Sequence, residues 1–219
     1  MTRYETEARN RVRQLAEKAH YDHDSVHGVL DAGVVSQVAF SQGDQPFIVP
    51  MIYGRQGQTL YLHGARKARV IRLLAANPKV CVHVTLLDGI VLARSTFSSS
   101  MNYRSVSVFG SAELVDDPAE KEAALRVISE QVMPGRWAEV RPSTDREIAM
   151  TGVLRLPIES ASAKISSGPP DDEEEDYAAS VWAGVLPLVL QAGALQPDPV
   201  LDPNQLPSDV MLALEAKIY

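Results

Sequence analysis

Hydrophobic and polar residues alternate through the centre of the chain with the two-residue period of β-strands. Turn residues separate the alternating runs, and those at 42–44 and 54–58 delimit two hairpins within about thirty residues. Such closely spaced hairpins are typical of an antiparallel sheet. The pattern predicts about eight strands, at residues 34–40, 46–53, 59–63, 80–87, 90–97, 103–115, 150–159 and 181–190.

Apolar residues at helical spacing predict helices before, between and after these strands. The predicted helices cover residues 5–20, 24–30, 66–76, 118–132 and 208–217. Strands mixed with short helices favour a single α+β, mainly β, domain built on an antiparallel barrel. We expect N-terminal helices in residues 1–32, the barrel with its helices in residues 33–190 and a tail in residues 191–219.

One segment supplies almost all of the net charge. Residues 171–176 are six consecutive acids, and removing these six negative charges from the formal net charge of −7 leaves −1. The remaining chain has no basic surplus to meet phosphates broadly, which argues against a nucleic-acid binder. The acidic segment itself is most simply a solvated surface loop.

Composition also sets the expected compartment. A hydrophobic fraction of 45% and a charged fraction of 22% are typical of a soluble chain that buries a core. The N-terminus has no signal-like apolar core, and no apolar stretch approaches the ~18 residues that a spanning helix needs. Cys81 is the only cysteine, so a disulfide framework within the chain is excluded. We therefore predict a cytoplasmic protein without membrane contact.

The strongest chemical feature is the junction between a predicted strand and a predicted helix at His63-Gly64. Arg66, Lys67 and Arg69 follow at the helix start, where the helix dipole disfavours cations. A bound anion would reconcile this arrangement, because basic side chains and free N–H groups at a helix start bind phosphate. Gly64 would let the backbone approach closely. The alternative is a solvated basic helix face.

A second polar segment lies just before a predicted strand. Residues 98–105 combine four serine hydroxyls with Asn102, Tyr103 and Arg104. This set could hydrogen-bond a polar heterocycle, and the alternative is an ordinary serine-rich loop. Arg94, on the preceding strand, is either a further anion contact or a member of a surface ion pair.

The histidines give no clear metal site. His20, His23 and His27 are three and four residues apart, and on one helix such spacing could bind a metal. A helix break predicted at residues 21–24 argues against this, so we expect solvated histidines and no metal. His83 alternates with core residues and is interpreted as structural. The chain also lacks a nucleophile elbow, a P-loop and a G-x-G-x-x-G motif.

Several short segments, each weak alone, form a specific series through their order and spacing. They are Tyr21-Asp22, Val29-Leu30-Asp31, Pro46 with Val49-Pro50-Met51-Ile52-Tyr53, Leu60-Tyr61-Leu62-His63-Gly64, residues 84–95, Met101-Asn102-Tyr103-Arg104-Ser105, Pro134-Gly135-Arg136-Trp137, Ser162-Ala163-Lys164 and residues 182–187. Over residues 20–190 this series resembles the flavin-binding split-barrel family related to pyridoxamine 5′-phosphate oxidase. Within this family, the series looks most like the small flavin-nucleotide-binding and nitroimidazole-resistance-like members.

The resemblance implies an FMN-binding split β-barrel of antiparallel, Greek-key type with short flanking helices, and FAD is the alternative flavin. It also implies positions for the cofactor contacts. The isoalloxazine ring would be lined by backbone groups of Pro50, Met51, Ile52 and Tyr53. The ring or ribityl chain would lie near His63 and Gly64, and the phosphate would be bound by Arg66, Lys67 and Arg69. The flavin would also lie beside Tyr103, Arg104 and Ser105, and Trp182 would approach it from the late strand of this or the partner subunit.

The resemblance further implies a homodimer with two flavin sites at the subunit interface. The expected function is an FMN-dependent oxidoreductase that acts on a small organic substrate, with NAD(P)H as a possible donor. His63 and Tyr103 are the candidates for acid–base chemistry. Two alternatives are a flavin-binding carrier without turnover and a haem-handling member of the same barrel group. The acidic residues 171–176 could lie near the flavin entrance and disfavour anionic substrates.

The chain departs from the family pattern in two places. Close members often have histidines before the 101–105 segment, where this chain has Ser98 and Ser99. They tend to have small residues near positions 67 and 68, where this chain has Lys67. We find no counterpart of the oxidases' pyridoxal-phosphate-binding residues. A true pyridoxamine phosphate oxidase activity is therefore not expected.

Overall fold

The computed structural model describes residues 2–219. Its strands are β1 Ala19–His20, β2 Val35–Gln42, β3 Gln45–Gln56, β4 Thr59–Ala65, β5 Lys79–Leu92, β6 Ser100–Ser111, β7 Glu113–Val115, β8 Thr151–Pro157, β9 Ser160–Ser166 and β10 Gly184–Pro187. Its α-helices are α1 His23–Ala32, α2 Arg69–Ala76, α3 Pro118–Val132, α4 Asp145–Met150 and α5 Asp209–Leu212.

The strands form one antiparallel sheet in the order β1-β9-β6-β5-β2-β3-β4-β8-β7, and β10 pairs with β5. The sheet curls around a core but does not close, because its path ends at β1 on one side and at β7 on the other. The predicted fold class, an α+β and mainly β antiparallel split barrel, is confirmed. Within residues 2–219 no helix is both long and apolar enough to cross a membrane.

The core fills the inner side of this sheet. Alternate residues of each strand point inward, and Val38, Leu62, Val82 and Leu154 are fully buried there. Helix α1 adds Leu30 to the same cluster. The two-residue period that predicts the strands is therefore also the period that separates the core from the outer side.

The outer side of the sheet has two unlike parts. The covered face is the outer side of β4, β8 and β7 together with the end of β3 from Gly54 onward; α3 packs on it, with Ala124 against Val115 and Val153. The open face is the outer side of β3 as far as Ile52 and of β2, β5, β6 and β9, where large apolar side chains such as Ile48 and Leu87 are exposed. The helix bounds predicted for α3 are confirmed.

The predicted helix at residues 5–20 is wrong. Apart from a short 3-10 turn at Ala16–Lys18 and strand β1, this segment is irregular. Tertiary hydrogen bonds hold it beside β9: the Asn10 side-chain amide donates to the Ala161 carbonyl, and the Lys164 ammonium donates to the Gln14 carbonyl. Helix α1 begins at His23, one residue earlier than predicted, because the Asp22 carboxylate caps it by accepting from the Ser25 N–H.

The predicted turn at Asp88-Gly89 is also wrong. Strand β5 runs unbroken from Lys79 to Leu92, with only a register irregularity between Leu87 and Gly89. Strand β10 pairs with the second half of β5, at residues 89–92, and this pairing carries β5 beyond its predicted end at residue 87. The sequence interpretation also missed β9 and α4, and it placed residues 100–102 in a loop although β6 starts at Ser100.

Candidate functional site

Strand β3 divides the four residues expected at a ring ligand between the two sides of the sheet. Pro50 and Ile52 lie on the open face, whereas the side chains of Met51 and Tyr53 point into the core. The Tyr53 hydroxyl donates to the Leu30 carbonyl, and burial raises the pKa of this phenol. Only backbone groups of Met51 and Tyr53 therefore remain for a ligand, while Pro50 and Ile52 can also offer apolar surface.

A polar cluster lies two strands away on the same open face. Gln37 of β2 pairs with Pro50 on one side and with His83 of β5 on the other. The His83 ring forms hydrogen bonds through Nδ1 with the Ser107 hydroxyl at 2.9 Å and through Nε2 with the Thr85 hydroxyl at 2.8 Å. Burial lowers the pKa of His83, so the ring is neutral at pH 7, with one nitrogen donating and the other accepting.

This cluster lines a shallow cavity of about 410 Å³ together with two predicted site residues, Tyr103 and Ser105. The β5–β6 register places Ser105 opposite Thr85 and Tyr103 opposite Leu87. The predicted alternation of His83 with core residues is confirmed, and its ring faces this cavity on the outer side of β5. The available signal was its position two residues before Thr85 in an alternating strand, which puts both side chains on one face.

His63 lies on β4 at the border between the open and covered faces. Its neighbours Leu60 and Leu62 are buried in the core, and β4 pairs His63 with Val153 of the covered face. The Nδ1 atom is buried and has no hydrogen-bond partner among residues 2–219. Burial also lowers the pKa of His63, which keeps the ring neutral at pH 7. A buried polar atom without a partner indicates a position at which a ligand can bind.

The basic segment after His63 forms a turn and then a helix. Helix α2 begins at Arg69 and not at residue 66, because β4 continues to Ala65. Its N-cap, Ala68, has no capping side chain, and the first turn carries no acid. The first N–H groups of α2 are therefore available to an anion. A Cβ atom at Gly64 would lie at ordinary van der Waals distance from the Ile71 side chain, so the protein itself does not require glycine at this position. A ligand that approaches the backbone closely would require it.

The three predicted phosphate contacts do not converge in this structure. Arg66 pairs with Asp116 at 3.3 Å, and both side chains are largely exposed. The Arg69 guanidinium lies 4.3 Å above the centre of the Phe47 ring. Lys67 is exposed and forms no ion pair within residues 2–219. Because an exposed ion pair contributes only about 0–1 kcal/mol, Arg66 can exchange Asp116 for a phosphate, and Lys67 needs no exchange.

Arg104 and Trp182 lie away from these groups. The Arg104 guanidinium forms two hydrogen bonds with the Asp88 carboxylate, at 2.7 and 2.9 Å, beside the β5 irregularity. Trp182 is 69% exposed. A side chain on Gly184 would collide with the indole ring, which lies over this glycine at the start of β10. Neither residue touches the His83 cavity in the single chain, so their contact with a flavin stays a prediction.

The acidic segment is not simply solvated. The Asp172 side chain is fully buried and accepts hydrogen bonds from the Arg94 backbone N–H at 2.7 Å and from its guanidinium at 3.0 Å. The same guanidinium lies 4.8 Å from the centre of the Tyr177 ring. Arg94 is therefore an ion-pair member, and it fixes the acidic segment just beyond the end of β5.

Two of the three histidines near the N-terminus, His23 and His27, are not simply solvated as the sequence suggested but belong to a hydrogen-bonded cluster. His27 Nε2 lies 3.0 Å from the Tyr4 hydroxyl, and His23 Nδ1 lies 3.0 Å from the Gln58 amide nitrogen. The Tyr4 hydroxyl also donates to the Gln58 amide oxygen. Burial raises the pKa of Tyr4 to about 12. Within residues 2–219 no group of three metal-ligating side chains is present.

Comparison with known proteins assigns the class of the chain. The family model described as pyridoxamine 5′-phosphate oxidase matches residues 22–165, about two thirds of the sequence. The chain therefore belongs to this family, and the resemblance stated above is confirmed. A curated relative, the uncharacterized protein RA0666 of Rhizobium meliloti, is 30% identical over 87 residues, which are 40% of this chain and 50% of that protein. The match thus spans half the length of this relative.

Two solved structures resemble nearly the whole chain. The flavocytochrome Anf3 from Azotobacter vinelandii is 36% identical, with a TM-score of 0.90 over 96% of this chain and 98% of that chain. The FAD- and haem-binding protein from Mycobacterium smegmatis is also 36% identical, with a TM-score of 0.87 over 91% of this chain and 98% of that chain. The similarity therefore extends beyond the family match into the C-terminal residues.

Proposed function

We propose that this chain is a flavin-dependent oxidoreductase that binds FAD and also haem. The observation that carries the proposal is the near-complete likeness, at 36% identity, to a flavocytochrome and to an FAD- and haem-binding protein. FMN was the first expectation from the sequence, and the FAD- and haem-binding protein favours the dinucleotide. The names of both relatives also make haem binding a part of the proposed function, whereas the sequence suggested it as a separate alternative.

The residues present fit a flavin nucleotide. The uncapped start of α2, Lys67 and Arg66 supply N–H groups and positive charge for phosphate. Pro50 and Ile52 supply apolar surface for a ring, and the neutral His83 with its hydroxyl partners supplies donors and acceptors. A bound flavin would supply hydride chemistry and a bound haem one-electron transfer, while the protein orients and tunes both.

His63 fits a role beside either cofactor. A neutral imidazole with an unsatisfied nitrogen can bind haem iron, and it can equally accept or donate a hydrogen bond at the polar edge of a flavin. We assign it to haem, because the His83 cluster and Tyr103 already offer polar groups for a flavin on the open face. Tyr103 remains our candidate for proton transfer to a substrate.

We also propose that the protein is a homodimer with its flavin sites at the interface. The single chain has an accessible surface of 13411 Å². A compact monomer of 23.9 kDa exposes about 9,900 Å², so about 3,500 Å² is in excess. Stable interfaces bury about 800 Å² on each partner, and larger values are typical of obligate dimers. The open face, with its exposed Ile48 and Leu87, supplies a part of this surface.

The first test is the cofactor content of the purified protein. We expect a yellow protein that releases FAD and that shows a Soret band after haem addition. His63→Gln should abolish the Soret band and keep the flavin. A colourless protein that takes up neither FAD nor FMN would overturn the flavin proposal. An unchanged Soret band in the His63 variant would overturn the assignment of His63.

The second test concerns the phosphate contacts. Arg66→Ala combined with Lys67→Ala should weaken FAD or FMN binding at least about tenfold, because two charge-assisted contacts are lost, and should leave riboflavin binding nearly unchanged. The matched control is Arg11→Ala combined with Arg13→Ala, which removes two exposed cations from the N-terminal segment. Titration followed by flavin fluorescence measures the affinities of the unaltered chain, the double variant and the control for each flavin. Equal losses for riboflavin and FMN would exclude the phosphate role.

The alternative is a flavin-binding carrier without turnover. It is favoured by the ion pairs of Arg94 and Arg104, which leave neither guanidinium free beside the His83 cavity to stabilise an anionic reduced flavin. Rapid-mixing measurements with NADH and NADPH separate the two functions. Reduction of the bound flavin, followed by reoxidation with an acceptor, supports the oxidoreductase, whereas an inert flavin supports the carrier.

A further inference from the structure

The last 32 residues of the chain form an ordered arm with an apolar outer surface. We call residues 188–219 the C-terminal arm. Eight of its large apolar side chains are exposed, namely Val189, Leu190, Leu195, Val200, Leu201, Leu206, Leu212 and Ile218. Val200 is 89% and Leu206 79% exposed, so both side chains meet water almost fully in the single chain. Single exposed apolar residues are common on proteins, but a series of eight in one segment marks an interaction surface.

The arm is held in place by its own chain. The Tyr219 N–H donates to the Leu190 carbonyl at 2.9 Å, and the Leu195 N–H donates to the Glu215 carboxylate at 2.8 Å. Helix α5 is capped by the Ser208 hydroxyl, and Val210 packs against Gly135 near the end of α3. These contacts fix the path of the backbone. The exposure of the apolar side chains is therefore a property of the folded arm.

From these observations we infer that the C-terminal arm is a clasp that binds a second copy of this chain; this inference rests on the proposed homodimer. The excess surface of about 3,500 Å² is larger than the roughly 800 Å² that each partner buries in a standard interface, which is consistent with a second contact region beside the open face. The arm is the region of the chain richest in exposed apolar side chains. If a partner buries the arm, this accounts for the part of the excess accessible surface that an interface through the open face does not bury.

The position of the arm favours a second copy, and its charge disfavours anionic partners. The arm continues directly from β10, which pairs with β5 at the rim of the open face. A two-fold interface through the open face would therefore bring each arm beside the other subunit. The arm carries three Asp, one Glu and one Lys, a net charge of −3 that is repelled by anionic membranes and nucleic acids.

The test uses the full chain with two substitutions at exposed positions. Val200→Asp combined with Leu206→Asp should weaken dimerisation at least about 100-fold, because two apolar contacts are lost and two charges would be buried. Folding of the single chain should be unaffected, since both side chains already face water. The matched control, Val200→Ile combined with Leu206→Met, keeps the apolar surface and should dimerise like the unaltered chain. Light scattering across a concentration series measures the dissociation constants, and circular dichroism checks the fold.

The outcomes separate the clasp from the proposals on which it rests. A dimer that is equally stable with the two aspartates would overturn the clasp and leave the homodimer standing. An unaltered chain that is monomeric at every concentration would overturn both. Flavin content is measured on the same samples, so a dimer without flavin would overturn the proposed function and not the clasp. Hydrogen exchange on the unaltered chain is a second readout: amides of the arm should become more protected as concentration rises.

Discussion

The covered face and the open face belong to one sheet, yet they differ in what their outward side chains do. On the covered face Tyr61 and Val153 form an apolar layer that packs against Leu125 of α3. On the open face His83 and its hydroxyl partners lie among exposed apolar residues such as Ile48. One face is completed by a helix of the same chain. The other combines hydrogen-bonding groups with bare apolar surface, which is the composition of a binding site.

The contrast also appears in how closely the backbone is approached. At Gly54 a side-chain carbon would lie 2.7 Å from backbone atoms of Val127 and Ile128, so α3 rests directly on the backbone of β3. Two residues earlier, on the open face, Ile52 is exposed. Strand β3 therefore passes from an open to a covered environment within three residues. His63 on the adjacent strand lies at this border, which explains why it is buried yet unsatisfied.

The largest expected effect breaks the covered face. Gly54→Ala should destabilise the protein by about 3 kcal/mol, because the new methyl group has no flexible neighbour that can yield and must displace α3. The matched control is Gly28→Ala within α1, where a side-chain carbon meets nothing within 4 Å. There the helix preference of alanine should stabilise by about 0.5–1 kcal/mol. Urea unfolding measures both, and a Gly54 variant as stable as the unaltered chain would contradict the backbone contact.

A smaller effect compares the same substitution on the two faces. Val153→Ala on the covered face should cost about 2 kcal/mol, because a fully buried side chain leaves a cavity. Val35→Ala on the open face should change the unfolding free energy of the dilute monomer by less than about 0.5 kcal/mol. The Val35 variant should instead weaken association, measured by light scattering. Equal unfolding costs at the two sites would show that the open face is covered within the single chain.

The smallest effect concerns pH. Burial lowers the pKa of His63 and His83 below the ordinary value of 6.5. The unfolded chain therefore takes up protons at these residues before the folded chain does. Stability from this source is complete above pH 6.5 and falls as the pH drops below 6.5, until the folded pKa is passed. Urea unfolding at several pH values should show this loss, and His83→Gln should reduce it. An unchanged slope in that variant would contradict the burial of His83.

Much of the fold could be predicted from local pattern. Alternation located β2, β3 and β4 to within a few residues, and Pro118 with the acids before it marked the start of α3. These elements need only a periodic apolar face and a capping group, which are both local. The family resemblance added the split barrel, which periodicity alone had left as an antiparallel barrel.

Errors arose where distant residues decide the local structure. Residues 5–20 have helical composition but lie irregularly beside β9, because Asn10, Gln14 and their partners on that strand fix the backbone. Asp88-Gly89 has the composition of a turn, yet β5 continues through it because β6 and β10 pair on either side. In each case hydrogen bonds from another part of the chain outweigh a weak local preference.

The site shows the same division between local and distant information. The sequence by itself determined the strand–helix junction at His63, the basic residues after it and the polar side chains of β6, because each depends on neighbours along the chain. Only the tertiary structure decided that Met51 and Tyr53 face the core, that Asp116 and Phe47 engage Arg66 and Arg69, and that His83 joins Tyr103 at one cavity. The physical reason is that strand pairing, register and helix packing bring together residues far apart in sequence, and local pattern carries no record of these partners.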